Sequence, residues 1–213
     1  MNTLRLGLVL ILCFCGIGQS LAGVSEGVTA YNQGDYSTAL YEFIQMAEQG
    51  DAGAQYSVGV MYENGEGVLQ GYSEAVKWYR LAALQGMAKA QLKMATMYLG
   101  GKGVLQNYSE AVKWHRLAAQ QGFAEAQFIL ALMYKKGEDL PLHTRENLPL
   151  NISEGFLHSY MYGHMWANLA AHNGYIKAKD LREEIEGNMT STQVNEAQQL
   201  ARECLESNYK NCD

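Results

Sequence analysis

A motif that returns every 36 residues limits the folds open to this chain more than any other feature. It is a glycine followed four and five residues later by Ala-Gln, and its copies start at Gly50, Gly86 and Gly122. Met-Tyr pairs, Gly-x-Gly-Val loops and tryptophans recur between these glycines in the same register. A fixed period of about 20 to 50 residues is typical of solenoids, whose units bury their apolar faces only by stacking. The repeat therefore predicts a solenoid that works by offering a surface.

Each repeat divides into two helices, because its apolar residues recur at spacings of three and four and glycines interrupt the pattern twice. In the first clear copy we predict helices over residues 52–63 and 72–85, joined by a glycine-rich loop and ended by Gly86. Alanines on both helices allow close approach of the two backbones. The residues predicted to face inward are Ala54, Val58, Met61, Tyr62, Ala75, Trp78, Tyr79, Ala82 and Ala83.

The same template extends in both directions. Upstream, residues 25–32 and 36–49 form a divergent first pair. Downstream, Trp166 and its neighbours match Trp114 at a step of 52, so the fourth repeat carries 16 extra residues. Two closing helices follow, 175–186 and 192–205, the second capped by Ser191 or Thr192. The predicted segments are a signal peptide (1–22), a divergent first pair (23–50), repeats in register (51–136), an insertion loop (137–159), a C-terminal repeat with its capping helix (160–206) and a disulfide-tied tail (207–213).

The N-terminus has the pattern of a secretory signal. Arg5 precedes a nearly unbroken apolar run, residues 6–17. Ser20 and Ala22 then place small residues at the two positions that a signal peptidase recognises before its cleavage site. The alternative is an uncleaved anchor, but the run is shorter than the roughly 18 to 20 residues that a spanning helix needs. We therefore expect cleavage after Ala22, export to the periplasm or beyond the cell, and no stable membrane insertion afterwards.

Charge and cysteine content exclude some partners. Without the signal the chain has 15 basic and 22 acidic residues, a net charge of −7, so it lacks the clustered positive charge with which proteins bind nucleic acid. Only two cysteines then remain, Cys204 and Cys212. In an exported chain we expect them to form one disulfide, whereas two free thiols would be normal only in a reducing cytosol.

The repeated residues resemble the Sel1-like repeat family, whose unit is related to the tetratricopeptide repeat but slightly longer. The resemblance covers residues 36–137 in register and 160–205 more loosely. It implies an all-α fold, a right-handed α/α solenoid of about five helix pairs. The matching residues of one repeat are Ala54, Val58, Gly59, Met61, Tyr62, Gly65, Gly67, Val68, Ala75, Trp78, Tyr79, Ala82, Ala83 and Gly86.

The resemblance implies a non-enzymatic function, which is binding of a protein or peptide as a scaffold or regulator of the bacterial envelope. It implies no cofactor and leaves the partner and the oligomeric state open. Two alternatives stay open. One is a protein that binds or hydrolyses cell-wall glycan or β-lactam, suggested by cysteine-rich relatives whose repeat cysteines this chain lacks. The other is a secreted, host-directed virulence factor.

Positions that vary between repeats are free of packing constraints, and by analogy with tetratricopeptide repeats the first helix of each pair lines the binding face. The varying positions mix charged with apolar side chains, as protein interfaces do. The alternative is that the apolar register shared by Tyr56, Leu92 and Phe128 belongs to the core between repeats. The predicted partner-binding residues are Tyr56, Val60, Glu63, Asn64, Lys89, Leu92, Thr96, Leu99, Glu125, Phe128, Leu132 and Lys135.

Other residues favour packing over chemistry. The three tryptophans share one repeat position, which predicts a core role. His158, His164 and His172 lie six and eight residues apart, a spacing that does not bring them onto one helical face, so we predict no metal site. No motif that pairs a nucleophile with a base is present, and no catalytic residue is predicted.

The insertion is the segment most specific to this chain. It holds both prolines, in Leu-Pro-Leu triplets centred on Pro141 and Pro149. Loops longer than their neighbours are often functional, so we expect the insertion to cover one edge of the binding face. The alternative is a surface insertion that the fold tolerates.

Overall fold

The computed structural model describes residues 25–136, 152–210 and 212, with only the backbone at 152–158. The predicted signal peptide and residues 137–151 of the predicted insertion lie outside these residues. Ten helices and no strand occur in the described residues, which confirms the all-α class. The chain divides into two compact units, Met1–Met87 and Ala88–Asp213.

The first unit holds two helix pairs. Its core is built from Phe43, Met46, Val58 and Met61, against which Trp78 packs. Asp35 caps the second helix by accepting a hydrogen bond from the Thr38 amide, 3.1 Å away. The helices are α1 (residues 25–32), α2 (Tyr36–Glu48), α3 (Ala52–Asn64) and α4 (Tyr72–Leu84).

The second unit holds three helix pairs. Its core includes Leu130, Met165, Trp166, Leu169 and Ile185, and Trp166 is only 1% exposed. Trp114 is also buried, so the tryptophans pack as predicted. The helices are α5 (Ala88–Gly100), α6 (Tyr108–Ala119), α7 (Ala124–Lys136), α8 (Ile152–His172), α9 (Lys177–Glu186) and α10 (Ser191–Glu206).

Two predicted boundaries are wrong. Helix α8 begins at Ile152, so residues 152–159 are helical and not part of a loop. The cap of α10 is Thr190 and not Ser191 or Thr192. The Thr190 hydroxyl accepts the Gln193 amide proton at 3.4 Å, and the Gln193 side chain accepts the Thr190 amide proton at 2.7 Å. This reciprocal capping box satisfies two donors, where a lone serine or threonine satisfies one.

A buried glutamine stands at the same position in each repeat, and two of the three join successive helix pairs. Gln55 donates to the Ala47 carbonyl, 3.1 Å away, at the end of the preceding pair, and it accepts a hydrogen bond from Gln85, 2.8 Å away, at the end of its own pair. Gln127 repeats this arrangement with Ala119 and Asn173, at 3.0 and 2.9 Å. The equivalent Gln91 accepts a hydrogen bond from Gln121 at 2.8 Å. The Ala47 and Ala119 carbonyls at the helix ends also accept from the Gly50 and Gly122 amides, so each glutamine adds a second hydrogen bond to its carbonyl.

The ring that packs between paired helices changes size along the chain. In α3 a Cβ on Gly59 would lie 2.6 Å from the ring of Tyr79, so only glycine fits there. One repeat later, alanine stands at position 95 and the smaller ring of His115 replaces the tyrosine. His115 is 1% exposed, and neither ring nitrogen has a hydrogen-bond partner in the described part of the chain. Burial lowers the pKa of His115 from 6.5 to about 4.

The C-terminal tail folds back onto the second unit. Cys204 and Cys212 are buried with Cα atoms 4.7 Å apart, a separation that allows the predicted disulfide. Asn208 and Tyr209 between them have φ angles of 53° and 63°, which turn the chain back. The Tyr209 hydroxyl then donates to the Asn173 side chain at 3.0 Å, at the end of α8.

We predict that Gly67→Ala destabilises the first unit more than Gly86→Ala. Both glycines have positive φ angles, 70° and 89°, so each alanine incurs about 1–2 kcal/mol of backbone strain. A Cβ at Gly67 would also lie 2.5 Å from the Tyr36 carbonyl oxygen, whereas none of the neighbouring atoms approaches a Cβ at Gly86 within 4 Å. The clash adds about 1–3 kcal/mol, measurable by urea unfolding followed by circular dichroism. If the two variants lose the same free energy of unfolding, the loop at Gly67 shifts to accommodate the new Cβ and the clash costs nothing.

We predict that His115 makes the second unit sensitive to acid. Because its folded pKa of about 4 lies below its unfolded value, unfolding binds a proton, and stability present above pH 6.5 is lost as the pH falls toward 4. The expected loss is about 2 kcal/mol between pH 7.5 and 5. His115→Phe combined with Ala95→Gly restores the pairing of ring and glycine found one repeat earlier, and it should remove this part of the pH dependence.

The matched control is Ala95→Gly alone, which keeps the histidine and should keep the pH dependence of urea unfolding. If the double variant loses stability between pH 7.5 and 5 as steeply as this control, His115 does not titrate as its burial implies.

Candidate partner-binding face

Two of the predicted residues on α3 in the first unit take part in packing. Tyr56 is half-buried, with its ring centroid 5.7 Å from that of Tyr79. The Glu63 carboxylate accepts a hydrogen bond from the Tyr79 hydroxyl at 2.5 Å. Burial, and then the contact with Glu63, raise the pKa of Tyr79 above its ordinary value. Glu63 therefore serves the interior of its repeat, and the prediction that it contacts a partner is disfavoured.

The loop after α3 is also held by tyrosine. The Tyr31 hydroxyl donates to Glu66 at 2.8 Å, and this hydrogen bond together with burial raises the pKa of Tyr31 to about 12. Asn64 is exposed and donates to the other oxygen of Glu66 at 3.1 Å. Val60 is half-buried. Among the four residues predicted on α3, only Asn64 is therefore fully at the surface.

The second unit places the predicted residues of α5 and α7 at matching positions on two successive first helices. Lys89 and Glu125 occupy the same register, both are exposed, and neither has an ion-pair or hydrogen-bond partner in the described residues. Thr96 is exposed, and its hydroxyl donates to the Leu92 carbonyl at 3.0 Å. Opposite charges thus stand at one end of the two helices, available to another molecule.

Apolar side chains fill the middle of the same surface. Leu92, Leu99 and Leu132 are half-buried and pack against the core of the second unit. Each leaves part of its surface to solvent, so Leu92 contributes to the core as the alternative proposed, while its contact with a partner stays a prediction. We call the surface formed by these leucines together with Lys89, Thr96 and Glu125 the α5–α7 face.

Two predicted residues of α7 are engaged by the next helix pair. The ring of Phe128 stacks on Tyr175, with centroids 4.6 Å apart and planes at 29°. Lys135 forms an ion pair with Glu184 of α9. The prediction missed Tyr175 and Glu184, although Tyr175 stands 52 residues after Phe123, at the register of an earlier aromatic residue. Phe128 and Lys135 therefore form the structural border of the α5–α7 face.

Histidine and acidic side chains do not cluster as a metal site in the described residues. These residues contain no cluster of three His, Cys, Asp or Glu side chains that would hold a metal ion. His164 is fully buried and lies 2.7 Å from a carboxylate oxygen of Glu186, while His172 is exposed. The side chain of His158 lies outside the described residues. None of the helices described is long and apolar enough to cross a bilayer.

Comparisons with known proteins agree with the repeat. The Sel1 repeat profile matches residues 52–87, 88–123 and 124–142. The crystal structure of a Sel1 repeat protein from Oxalobacter formigenes is 30% identical, with a TM-score of 0.54, over 68% of this chain and 97% of that chain. No sequence among curated proteins matches the chain.

A second crystal structure shows the fold alone. It is that of a protective antigen present in uropathogenic Escherichia coli strains displaying an SLR fold, 23% identical with a TM-score of 0.56. The match covers 89% of this chain but 47% of that protein, so this chain spans about half of its length. The repeat profile, the shared solenoid fold and the nearly complete coverage of the Oxalobacter protein together show that the chain belongs to the Sel1 repeat family.

Proposed function

We propose that this protein is an exported, non-enzymatic scaffold whose α5–α7 face binds a segment of another protein. The Sel1 repeat fold is typical of protein–protein interaction scaffolds. The observation that carries the proposal is the pair Lys89 and Glu125, exposed charges of opposite sign beside half-buried leucines. Interfaces combine an apolar centre with a polar rim in this way.

The mechanism of binding is preorganisation. Helices α5 and α7 both pack on α6, and the amides of Gln91 and Gln127 join each helix to the end of its own pair. A partner therefore does not have to order the surface that it binds, which reduces the entropy lost on association. A helix or extended peptide with leucine-sized apolar residues suits the centre of the face, and an acidic side chain near Lys89 and a basic one near Glu125 would give it orientation.

Export is supported by the N-terminal sequence and by the cysteines. Residues 1–22 carry the charge, the apolar run and the small residues of a secretory signal. Cys204 and Cys212 stand at a separation that suits a disulfide, and disulfides persist in oxidising compartments. We place the protein in the periplasm or outside the cell on these grounds. A scaffold or regulatory role in the bacterial envelope agrees with both this location and the binding of a protein.

We predict that Lys89→Glu combined with Glu125→Lys weakens partner binding at least about tenfold without unfolding the protein. The exchange keeps the net charge and reverses both signs at the rim of the α5–α7 face, where like charges would then meet the partner. Neither residue supports the fold through an ion pair within the described residues. Affinity capture from an envelope extract with mass spectrometry, followed by titration of the captured protein, should show at least a tenfold loss of affinity.

The matched control is Glu110→Lys combined with Lys113→Glu on α6. These residues form an ion pair at 2.6 Å on a second helix, so the exchange reverses the same two signs, keeps the pair and leaves the face unchanged. This control should bind like the wild type. Retained binding by the α5–α7 exchange would contradict the assignment of the face, and the absence of any specific partner would contradict the scaffold function.

A further inference from the structure

A cavity of about 340 Å³ lies in the second unit between the last turns of α8 and α10, away from the α5–α7 face. Its volume falls in the range of small-ligand sites, roughly 300–1,000 Å³. The floor is apolar and consists of Leu169, Ala201 and Leu205. Polar side chains surround this floor, and they are Asn168, His172, Gln198 and Arg202.

The sequence places these residues on two facing helical stripes. Gln198, Ala201, Arg202 and Leu205 follow the three-and-four spacing that brings side chains onto one face of a helix. Asn168 and His172 are four residues apart on α8. Because α10 packs against α8, the two stripes enclose one space.

The guanidinium of Arg202 is held in place before any ligand arrives. Its Nε and Nη2 groups both donate to the side-chain oxygen of Gln199, at 3.1 and 2.7 Å. Its third nitrogen, Nη1, has no partner in the part of the chain that the structure describes. Both side chains are exposed, so this contact orients the guanidinium while leaving Nη1 accessible to an anion.

The other polar groups around the cavity add donors. The side-chain oxygen of Asn168 is occupied, since it accepts a hydrogen bond from Arg182 at 3.4 Å, which leaves its amide nitrogen as the free end. The side chains of His172 and Gln198 make no hydrogen bond to any described residue. No carboxylate lines the cavity, although the chain has 22 acidic against 16 basic residues. A carboxylate lies nearby, since Glu203 accepts a hydrogen bond from Gln199 at 2.8 Å, but the lining itself has a surplus of donors.

We propose that this cavity binds a carboxylate attached to an apolar group, as found at the C-terminus of a peptide or in a small free acid. The carboxylate accepts hydrogen bonds from Arg202 and Asn168, which form charge-assisted or amide contacts with anionic oxygens. The apolar group covers Leu205, which is half-buried without a ligand, so that its further burial adds to the affinity.

Isothermal titration calorimetry on the full chain tests the proposal with three probes. These are acetyl-Gly-Leu with a free carboxylate, its C-terminal amide, and 4-methylpentanoate. We expect the acid peptide to bind at least about tenfold more tightly than the amide, since a hydrogen bond to a charged group contributes that much. Equal binding of acid and amide, or no binding of any probe, would overturn the proposal. Tight binding of 4-methylpentanoate would support it and identify a small free acid as the source.

Two variants localise the binding. Arg202→Gln should lower the affinity for acetyl-Gly-Leu by about tenfold or more and remove the preference for acid over amide. Lys177→Gln removes one exposed positive charge from the start of α9, outside the cavity, and should bind like the wild type. If both variants lose affinity alike, the effect is one of general charge and the cavity is not the site. The exchange at Lys89 and Glu125 should leave acetyl-Gly-Leu binding intact, which separates this test from that of the proposed function.

Discussion

In each of the two units a buried glutamine amide, Gln55 or Gln127, holds successive helix pairs in register, and the other features of that unit depend on this register. In Gln55 and Gln127 one end of the amide satisfies a carbonyl at the end of the preceding pair, and the other end holds the last residue of its own pair. These side chains are at most 5% exposed. A buried amide that loses a partner costs about 1–3 kcal/mol, so a shift of one helix pair against the next is strongly disfavoured. This fixed register is what keeps Lys89 and Glu125 at equivalent positions.

Within a fixed register, each helix pair must fill its interior with side chains of matching size. Gly59 faces the large ring of Tyr79, and alanine at position 95 stands at the register opposite the smaller ring of His115. In the next pair both equivalent residues, Ala131 and Ala167, are small and fully buried. Protein interiors are close-packed, so in the first two pairs a larger ring on one helix stands with a smaller residue on its partner, whereas the third pair has small residues on both helices. The histidine is thus explained by packing, and its acid sensitivity is a consequence of that packing.

The residues of the α5–α7 face were predicted in part from the sequence. Variation between repeats correctly marked Lys89, Thr96 and Glu125 as exposed, because side chains that support the repeat cannot vary freely. The same criterion failed for Glu63 and Lys135. Glu63 bonds to Tyr79, and Lys135 pairs with Glu184. Both partners lie in segments where the repeats differ, since histidine replaces Tyr79 in the next copy and α9 departs from the template. A residue that varies together with its partner cannot be distinguished by variation alone from one that is free.

The sequence by itself determined the all-α repeat fold, the loop glycines and the tryptophan core, because each repeat makes most of its contacts within about one period and the period is visible in the chain. Only the tertiary structure decided which charges are free and which are paired, and that α8 and α10 enclose a cavity. Those features join residues tens of positions apart through side-chain geometry, such as Lys135 with Glu184 or Asn168 with Arg202. Sequence spacing carries no record of such contacts, since they depend on how the helices pack and on which rotamers the packing allows.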